Sequence, residues 1–336
     1  MSIAVAAGGG PITIRSYVGD GTGGGRALAD DVLDGLTRPF KELPPKHFYD
    51  TRGAELFDRI CELPEYYPTR AERSILAERS AEIAARTGAG EVVELGSGTA
   101  EKTGLLLAAL QDAGTLRRYV PIDVTEAMVV RCAEQFTGRF PDLGVHGIVG
   151  DFERHLEHVP PAGAEPRIVA FLGGTIGNFA PGSRRRFLRS IRPLLRPGVD
   201  WLLLGTDLVK DPAVLEAAYD DEAGVTAEFN RNVLHVINRE LGADFDPAAF
   251  DHVAFFDREH EWIEMRLRAV RQMRVHVPAV DLTVEFAPRE ELRTEISAKF
   301  TPQRLGADLA ACGMELAELL TDEQGRFALS LSTPVG

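Results

Sequence analysis

Cysteine is scarce and scattered. Cys61, Cys132 and Cys312 are the only three in 336 residues, and none belongs to a Cys-x-x-Cys pair. That argues against structural zinc and fits a reducing cytoplasm, the location we expect. No apolar run approaches the roughly 18 residues of a membrane-spanning helix, so no membrane association is expected. The first residues carry no basic region followed by an apolar one, so no secretory signal is expected either. Positive charge is in deficit: 37 Lys and Arg against 51 Asp and Glu give a net charge of −14. Such a surface repels a phosphate backbone, which makes nucleic acid an unsuitable partner. The run Arg184-Arg185-Arg186 is the candidate exception. It precedes Phe187, Leu188 and Ile191 at helical spacing, so we read it as a solvated helix face.

What is present is a glycine turn between an apolar run and a helix-like segment. Residues 92–103 read Val-Val-Glu-Leu-Gly-Ser-Gly-Thr-Ala-Glu-Lys-Thr. Gly96 and Gly98 let a ligand approach the backbone without a Cβ in the way. The helix that follows, from Glu101 to Leu110, presents unpaired N–H groups at its start. A dinucleotide turn of the form Gly-x-Gly-x-x-Gly needs a third glycine, and Glu101 stands there instead. A carboxylate sits badly beside a pyrophosphate and tolerably beside a ligand without phosphate. The Glu-x-Gly-x-Gly form resembles the first motif of class I S-adenosylmethionine (SAM) methyltransferases.

Further strand ends follow in order. Tyr-Val-Pro-Ile-Asp-Val at 119–124 ends a strand near Asp123, 27 residues after Gly96. That is close to the spacing at which nucleoside folds place a carboxylate on ribose hydroxyls. A third strand closes in Gly150-Asp151-Phe152. A fourth, Arg-Ile-Val-Ala-Phe-Leu at 167–172, opens into Gly173-Gly-Thr-Ile-Gly-Asn178. A fifth starts at Trp201. Strands alternating with helical segments predict a parallel sheet covered on both faces. Gly96, Asp123, Asp151 and Asn178 then lie at carboxyl ends of strands, where such sheets bind ligands. His155 and His158 near Asp151 invite a metal reading, but no second ligand cluster accompanies them and no metal is expected.

The chain is long enough for two domains. The stretch 1–25, with Gly8-Gly-Gly10 and Gly23-Gly-Gly25, reads as a flexible tail. After the fifth strand come about ninety residues that a simple parallel-sheet enzyme would not need. They hold helical segments near 212–219 and 226–241 and strand-like runs at 262–270 and 282–286. We expect a core of 69–208 and 296–336, in which Ile296–Phe300 helps complete the sheet. A second domain of 26–68 and 209–295 accompanies it.

Seven stretches together resemble the histidine-specific methyltransferases that make hercynine, the first step of ergothioneine biosynthesis. They are Leu43-Pro-Pro-Lys-His-Phe-Tyr-Asp50, Leu63-Pro-Glu-Tyr-Tyr-Pro-Thr-Arg70, Val93-Glu-Leu-Gly-Ser-Gly-Thr99, Phe171-Leu-Gly-Gly-Thr-Ile-Gly-Asn178, Leu204-Gly-Thr-Asp-Leu-Val-Lys-Asp211, Phe229-Asn-Arg-Asn232 and Thr294-Glu-Ile-Ser-Ala-Lys-Phe300. The likeness runs from about Leu28 to Ser332. It implies an α/β fold: a class I SAM-methyltransferase (Rossmann-like) parallel-sheet core with a second, α+β, substrate-binding domain. It implies SAM as cofactor, S-adenosylhomocysteine as product, and L-histidine with its methylated intermediates as substrates; separately, we expect a monomer. The resemblance assigns Tyr49, Asn178 and Tyr219 to the amino acid's α-amine and carboxylate, as the catalytic residues. It assigns Glu295 and Ser297 to the imidazole, with Tyr66 nearby and Met265 lining the side-chain pocket. Gly96, Lys102, Asp123, Asp151 and Phe152 fall on the SAM side. Gly174 departs from the serine expected in that loop.

The residues themselves leave rivals open. Tyr66, Tyr67 and Tyr219 could be packing residues, Met265 core filler and Glu295 an edge charge. A related enzyme acting on another amino acid or small amine, or a protein methyltransferase, would share the fold. An apolar or bulky residue in place of Glu295 or Met265 would favour an aromatic substrate.

Overall fold

The computed structural model describes residues 2–3, 11–17, 22–98 and 100–336. The chain forms two compact units. The first comprises Met1–Val18, Arg70–Leu208 and Phe300–Gly336, the second Gly19–Thr69 and Val209–Lys299.

The first unit is built on a nine-stranded sheet. From one edge its strands are Ser2–Ile3, Ile12–Ser16, Gly144–Val149, Arg118–Asp123, Glu91–Leu95, Arg167–Phe171, Trp201–Asp207, Phe327–Pro334 and Met314–Thr321. The six from Ile12–Ser16 to Trp201–Asp207 are parallel neighbours. Glu91–Leu95 and Arg167–Phe171 are buried at every position. Strands covered on both faces are mostly apolar; the charges they carry are paired, Arg167 with Glu91 and Glu94 with the Thr103 and Tyr119 hydroxyls. From Leu95 the chain steps outward through helix Thr103–Asp112 to Arg118–Asp123. Helix Glu126–Arg139 then carries it to Gly144–Val149. It returns to the other flank of Glu91–Leu95 as Arg167–Phe171. The strand order therefore reverses at Glu91–Leu95, and a crevice opens beyond the carboxyl ends there. Phe327–Pro334 runs antiparallel between its two neighbours and completes the sheet.

The second unit has a four-stranded sheet in the order Lys41–Glu42, Glu291–Ala298, Trp262–Ala269, Phe250–Asp257. Helices Thr22–Leu36, Thr51–Glu62 and Val225–Leu241 and the hairpin Met273–Val277/Leu282–Phe286 accompany it. The Asp50 carboxylate caps Thr51–Glu62 by accepting from Gly53 N at 2.8 Å. It also accepts from Asn232 Nδ2 and Arg239, which ties that cap to Val225–Leu241.

Three expectations are revised. Ile12–Ser16 is a strand and a helix begins at Thr22, so the glycine-rich stretch is not wholly a tail; residues 1, 4–10 and 18–21 lie outside the description. Glycines flank the segment and hid it. Ile14 is fully buried, its side chain 3.2 Å from where a Cβ on Gly147 would stand. Glu291–Ala298 pairs with Trp262–Ala269 in the second unit, so the strand expected to complete the core does not, and the boundary falls at 299/300 rather than 295/296. Arg184 is not solvated. It is 1% exposed, pairs with Asp308 at 2.9 Å and stacks 4.7 Å from the Phe300 ring. Arg186 is exposed and the Arg185 side chain is 40% exposed, so those two keep surface positions. Local helical spacing cannot show that a partner carboxylate waits on another helix.

If Ile12–Ser16 is a core strand, Ile14→Ala should lower unfolding stability by about 2–4 kcal/mol. Urea denaturation measures it. An unchanged midpoint would return the segment to the status of a tail.

Candidate active site

The first unit places a glycine turn at the strand-order reversal. Gly96 has φ +74° and Gly98 φ +47°, in the left-handed region that disfavours side chains. A Cβ on Gly96 would come within 3.4 Å of the Phe152 ring, and one on Gly98 would meet nothing within 4 Å. Phe152 in turn packs on Phe171 and Phe187, with centroids 5.3 and 5.6 Å away. Asp123, at the end of the neighbouring strand, accepts from Gly98 N at 3.0 Å and Thr125 N at 2.9 Å. Burial raises its carboxyl pKa despite those bonds. The turn, Asp123 and Phe152 thus converge on one place. Val124 beside them is 55% exposed, an apolar surface our sequence reading did not single out.

Beneath the turn, Glu94 is buried and accepts from the Thr103 and Tyr119 hydroxyls. Burial pushes its carboxyl up to about 7. It ties the strand to both the following helix and the adjacent strand. Asp151 accepts from Glu153 N at 2.8 Å, and its own N–H donates to His155 Nδ1 at 2.9 Å. His155 and His158 stack with Tyr17. Among the described residues no group of three metal-ligating side chains occurs. Nor is any helix there long and apolar enough to cross a membrane.

Lys102 pairs with Glu72, a residue that sequence reasoning passed over. Glu72 is completely buried and accepts from Gly173 N at 2.8 Å. A Cβ on Gly205 would stand 2.2 Å from its carboxylate, so that glycine exists to admit it. Gly174 has φ +69°, a conformation in which glycine replaces the expected serine without strain. Asn178 closes the short helix Thr175–Asn178 after the fourth strand, also in the first unit.

In the second unit, Glu295, Ser297 and Lys299 occupy alternate positions from one strand onward, hence one face. All three are buried, Lys299 completely. Met265 is the cross-strand partner of Glu295, at a register shift before Arg266. The Tyr219 hydroxyl lies 2.8 Å from Ser297 Oγ, and Lys299 Nζ donates to both, at 3.0 and 2.8 Å. The Tyr66 and Tyr219 rings meet edge-on at 6.2 Å. Tyr49 packs edge-on against Phe57 and Phe229 yet is 43% exposed, whereas Tyr219 is 8% exposed. Burial pushes the Glu295 carboxyl up to about 7, with Lys299 pulling the other way. Burial and then Tyr219 hold the Tyr66 phenol above its ordinary range. Glu295, Tyr49, Tyr66, Tyr219, Ser297 and Met265 are therefore neighbours, and Lys299 is the member the sequence reading missed. The two-residue period Glu295-x-Ser297-x-Lys299 was the available signal.

A buried network holds this pocket in shape. Asn230 Nδ2 donates to His252 Nδ1 at 2.8 Å, which leaves His252 Nε2–H to donate to the Tyr219 carbonyl at 2.9 Å. Burial keeps His252 below the ordinary histidine pKa, in keeping with a neutral ring. Thr294 Oγ1 donates to Asn230 Oδ1 at 2.6 Å and lies 3.1 Å from the Met265 carbonyl. The Phe229-Asn-Arg-Asn232 motif is explained in this way: Phe229 backs Tyr49, Asn230 fixes Tyr219 and the Met265 bulge, and Asn232 holds the Phe48 carbonyl and Asp50.

A parallel sheet in this order, a Glu-x-Gly-x-Gly turn and a carboxylate at the second strand end define the class I SAM-dependent methyltransferase type. The second unit narrows it. The chain belongs to the family of histidine-specific, SAM-dependent methyltransferases, whose sequence model matches residues 28–334. It is 53% identical over 321 residues to a histidine N-alpha-methyltransferase of Mycobacterium tuberculosis, covering 96% of this chain and 99% of that one. It is 54% identical to a histidine N-alpha-methyltransferase of Mycolicibacterium smegmatis, over 91% of this chain and 94% of that one. Ergothioneine biosynthesis protein 1 of Neurospora crassa is 34% identical over 60% of this chain, a match spanning 23% of that protein. The protein is a SAM-dependent methyltransferase.

Two outcomes follow from the site. Asp123→Ala should weaken SAM binding by about 1–3 kcal/mol in a folded protein, measured by calorimetric titration; unchanged affinity would remove Asp123 from the cofactor site. Glu295 has a folded-state pKa above its ordinary 4.5, so its burial is harmless at acid pH. The destabilisation grows as pH rises from about 4.5 to about 7 and is complete above that. Glu295→Gln should therefore gain about 1–3 kcal/mol of relative stability between pH 4.5 and pH 8. A pH-independent difference would contradict a buried, titrating carboxyl.

Proposed function

We propose that the enzyme methylates the α-amine of free L-histidine three times, giving hercynine, in ergothioneine biosynthesis. The observation that carries this reading is the buried strand face bearing Glu295 and Ser297 opposite Met265. A carboxylate accepts from one imidazole N–H, and a hydroxyl serves the other ring nitrogen in either sense. A pocket with buried groups of this kind discriminates against side chains that leave them unpaired. Met265 closes it with apolar bulk.

The residues around the glycine turn suit SAM. Positive-φ glycines leave its backbone open, and Asp123 offers a carboxylate for paired ribose hydroxyls. Gly96, Lys102, Asp151 and Phe152 complete our assignment of the cofactor side. SAM supplies an electrophilic methyl on a sulfonium. Tyr49, Asn178 and Tyr219 hold the amine and carboxylate of the amino acid and orient the lone pair, a contribution of several kcal/mol. The amine must be neutral to attack, and Tyr66 lies beside the side chain. Tyrosine hydroxyls both donate and accept, which suits an amine that loses N–H groups with each transfer. The reading takes the enzyme as a cytoplasmic monomer that needs no metal.

Incubation of the enzyme with SAM and L-histidine should yield a product heavier by three methyl groups, all on the α-nitrogen by mass spectrometry. Mono- and dimethylhistidine should also be substrates, and Nα-acetylhistidine and histidine-containing peptides should not. Methylation on the ring or only of peptides would sink the proposal.

A further inference from the structure

The segment Gly150-Asp151-Phe152, assigned above to the cofactor, follows directly on the strand Gly144–Val149. It is held at two points. Gly150 N donates to the Asp123 carbonyl at 2.8 Å, which ties the segment to the strand end whose carboxylate is offered to ribose. The second point is the His155 ring. Asp151 N donates to its Nδ1 at 2.9 Å, while His155 N and Arg154 N donate to the Asp151 carbonyl at 2.9 and 3.0 Å. A Cβ on Gly150 would stand 3.0 Å from the same Nδ1, so glycine makes room for the ring. An imidazole nitrogen accepts only when it carries no proton. The ring proton therefore sits on Nε2, and Nδ1 serves the backbone of the residue whose carboxylate is assigned to the cofactor.

Such a bond fixes the segment only if the ring itself is fixed. His155 stacks with His158 at 6.0 Å and with Tyr17 at 6.3 Å between centroids, and Tyr17 lies face to face with His158 at 3.6 Å and 5°. Aromatic rings at such separations attract and restrict one another. Tyr17 comes from the distant N-terminal strand Ile12–Ser16, whose register sets Ser16 against Val149. Its own N–H donates to the Val149 carbonyl at 2.8 Å. That strand thus delivers an aromatic ring to the carboxyl end of its neighbour, where parallel sheets bind ligands. None of these three rings has a part in the function proposed above.

We propose that His155 is a positioning residue for recognition of the cofactor's adenine, an acceptor that props Asp151 and is itself held by Tyr17 and His158, so that the N-terminal strand serves the cofactor site through Tyr17. This rests on the assignment of Asp151 to the cofactor. Adenine's exocyclic amine donates and its N1 accepts, and a carboxylate takes the amine's hydrogen. Hypoxanthine reverses both senses: its carbonyl accepts and its N1–H donates. A carboxylate held in place separates the two bases, and one free to swing does not.

The test compares binding of S-adenosylhomocysteine and S-inosylhomocysteine, which differ only in that part of the base, by calorimetric titration. Wild type should prefer the adenine compound by about tenfold or more. His155→Leu should bring the preference within about threefold. His155→Asn, whose Oδ1 is bonded as Nδ1 is and accepts in its place, should exceed His155→Leu by about threefold or more. Tyr17→Leu should cut the preference by about threefold or more, and Tyr17→Phe should leave it unchanged. A merely structural disturbance would weaken both compounds alike and keep the ratio. A full preference in His155→Leu, or equal ratios in His155→Leu and His155→Asn, overturns the proposal. If His155→Leu does not fold, Tyr17→Leu decides, and an unchanged ratio there ends it. Asp151→Ala separates the inference from its premise. A preference that survives Asp151→Ala removes Asp151 from the base, and the inference with it. A preference lost in Asp151→Ala yet intact in His155→Leu leaves that assignment standing and overturns the role of His155.

Discussion

Burial of polar groups on one strand face is the constraint around which the second unit is arranged. Glu295, Ser297 and Lys299 point the same way from a segment in which Leu292, Thr294 and Ala298 are buried too. Buried charges and hydroxyls are tolerated only when paired. Lys299 is satisfied by Ser297 and Tyr219, and its charge opposes the effect of burial on Glu295. The pairing draws Tyr219 to this strand, and the Asn230–His252 contact then secures the Tyr219 backbone. Removal of one member would expose its neighbours to the full desolvation penalty.

The first unit solves a different problem with the same economy of charge. Its parallel strands are apolar, so ligand recognition is confined to their ends. Glu94 and Glu72 are buried carboxylates near those ends, and each has a definite task. Glu94 fastens strand to helix through Thr103 and strand to strand through Tyr119. Glu72 reaches the loop after the fourth strand through Gly173 and holds Lys102. Both lie beneath the glycine turn's surroundings rather than on a free surface, which suits positioning more than proton transfer.

The core was legible because strands buried on both faces leave continuous apolar runs, and because turns with positive φ demand glycine. The residues at the strand ends followed from that pattern. Arg184, Glu72 and Lys299 escaped it for one reason: a charged side chain is by default exposed. Each is buried by a partner distant in sequence: Asp308 for Arg184, Lys102 for Glu72, Tyr219 for Lys299. Ile12–Ser16 escaped because its flanks are glycine-rich and its pairing partner, Gly144–Val149, lies more than a hundred residues on. The tyrosines could be picked out by resemblance alone; nothing in their local sequence separates Tyr66 from Tyr67.

The central claim is that the Glu295 face chooses histidine. Its most direct measurement is the ratio of kcat/KM for histidine over phenylalanine in wild type and in Glu295→Val, with SAM affinity determined on both. Loss of the carboxylate leaves the imidazole N–H unpaired and lowers the desolvation cost of an aromatic ring, so the ratio should fall by at least tenfold while SAM binding stays the same. An unchanged ratio, or a loss of SAM affinity equal to the loss for histidine, would contradict the account.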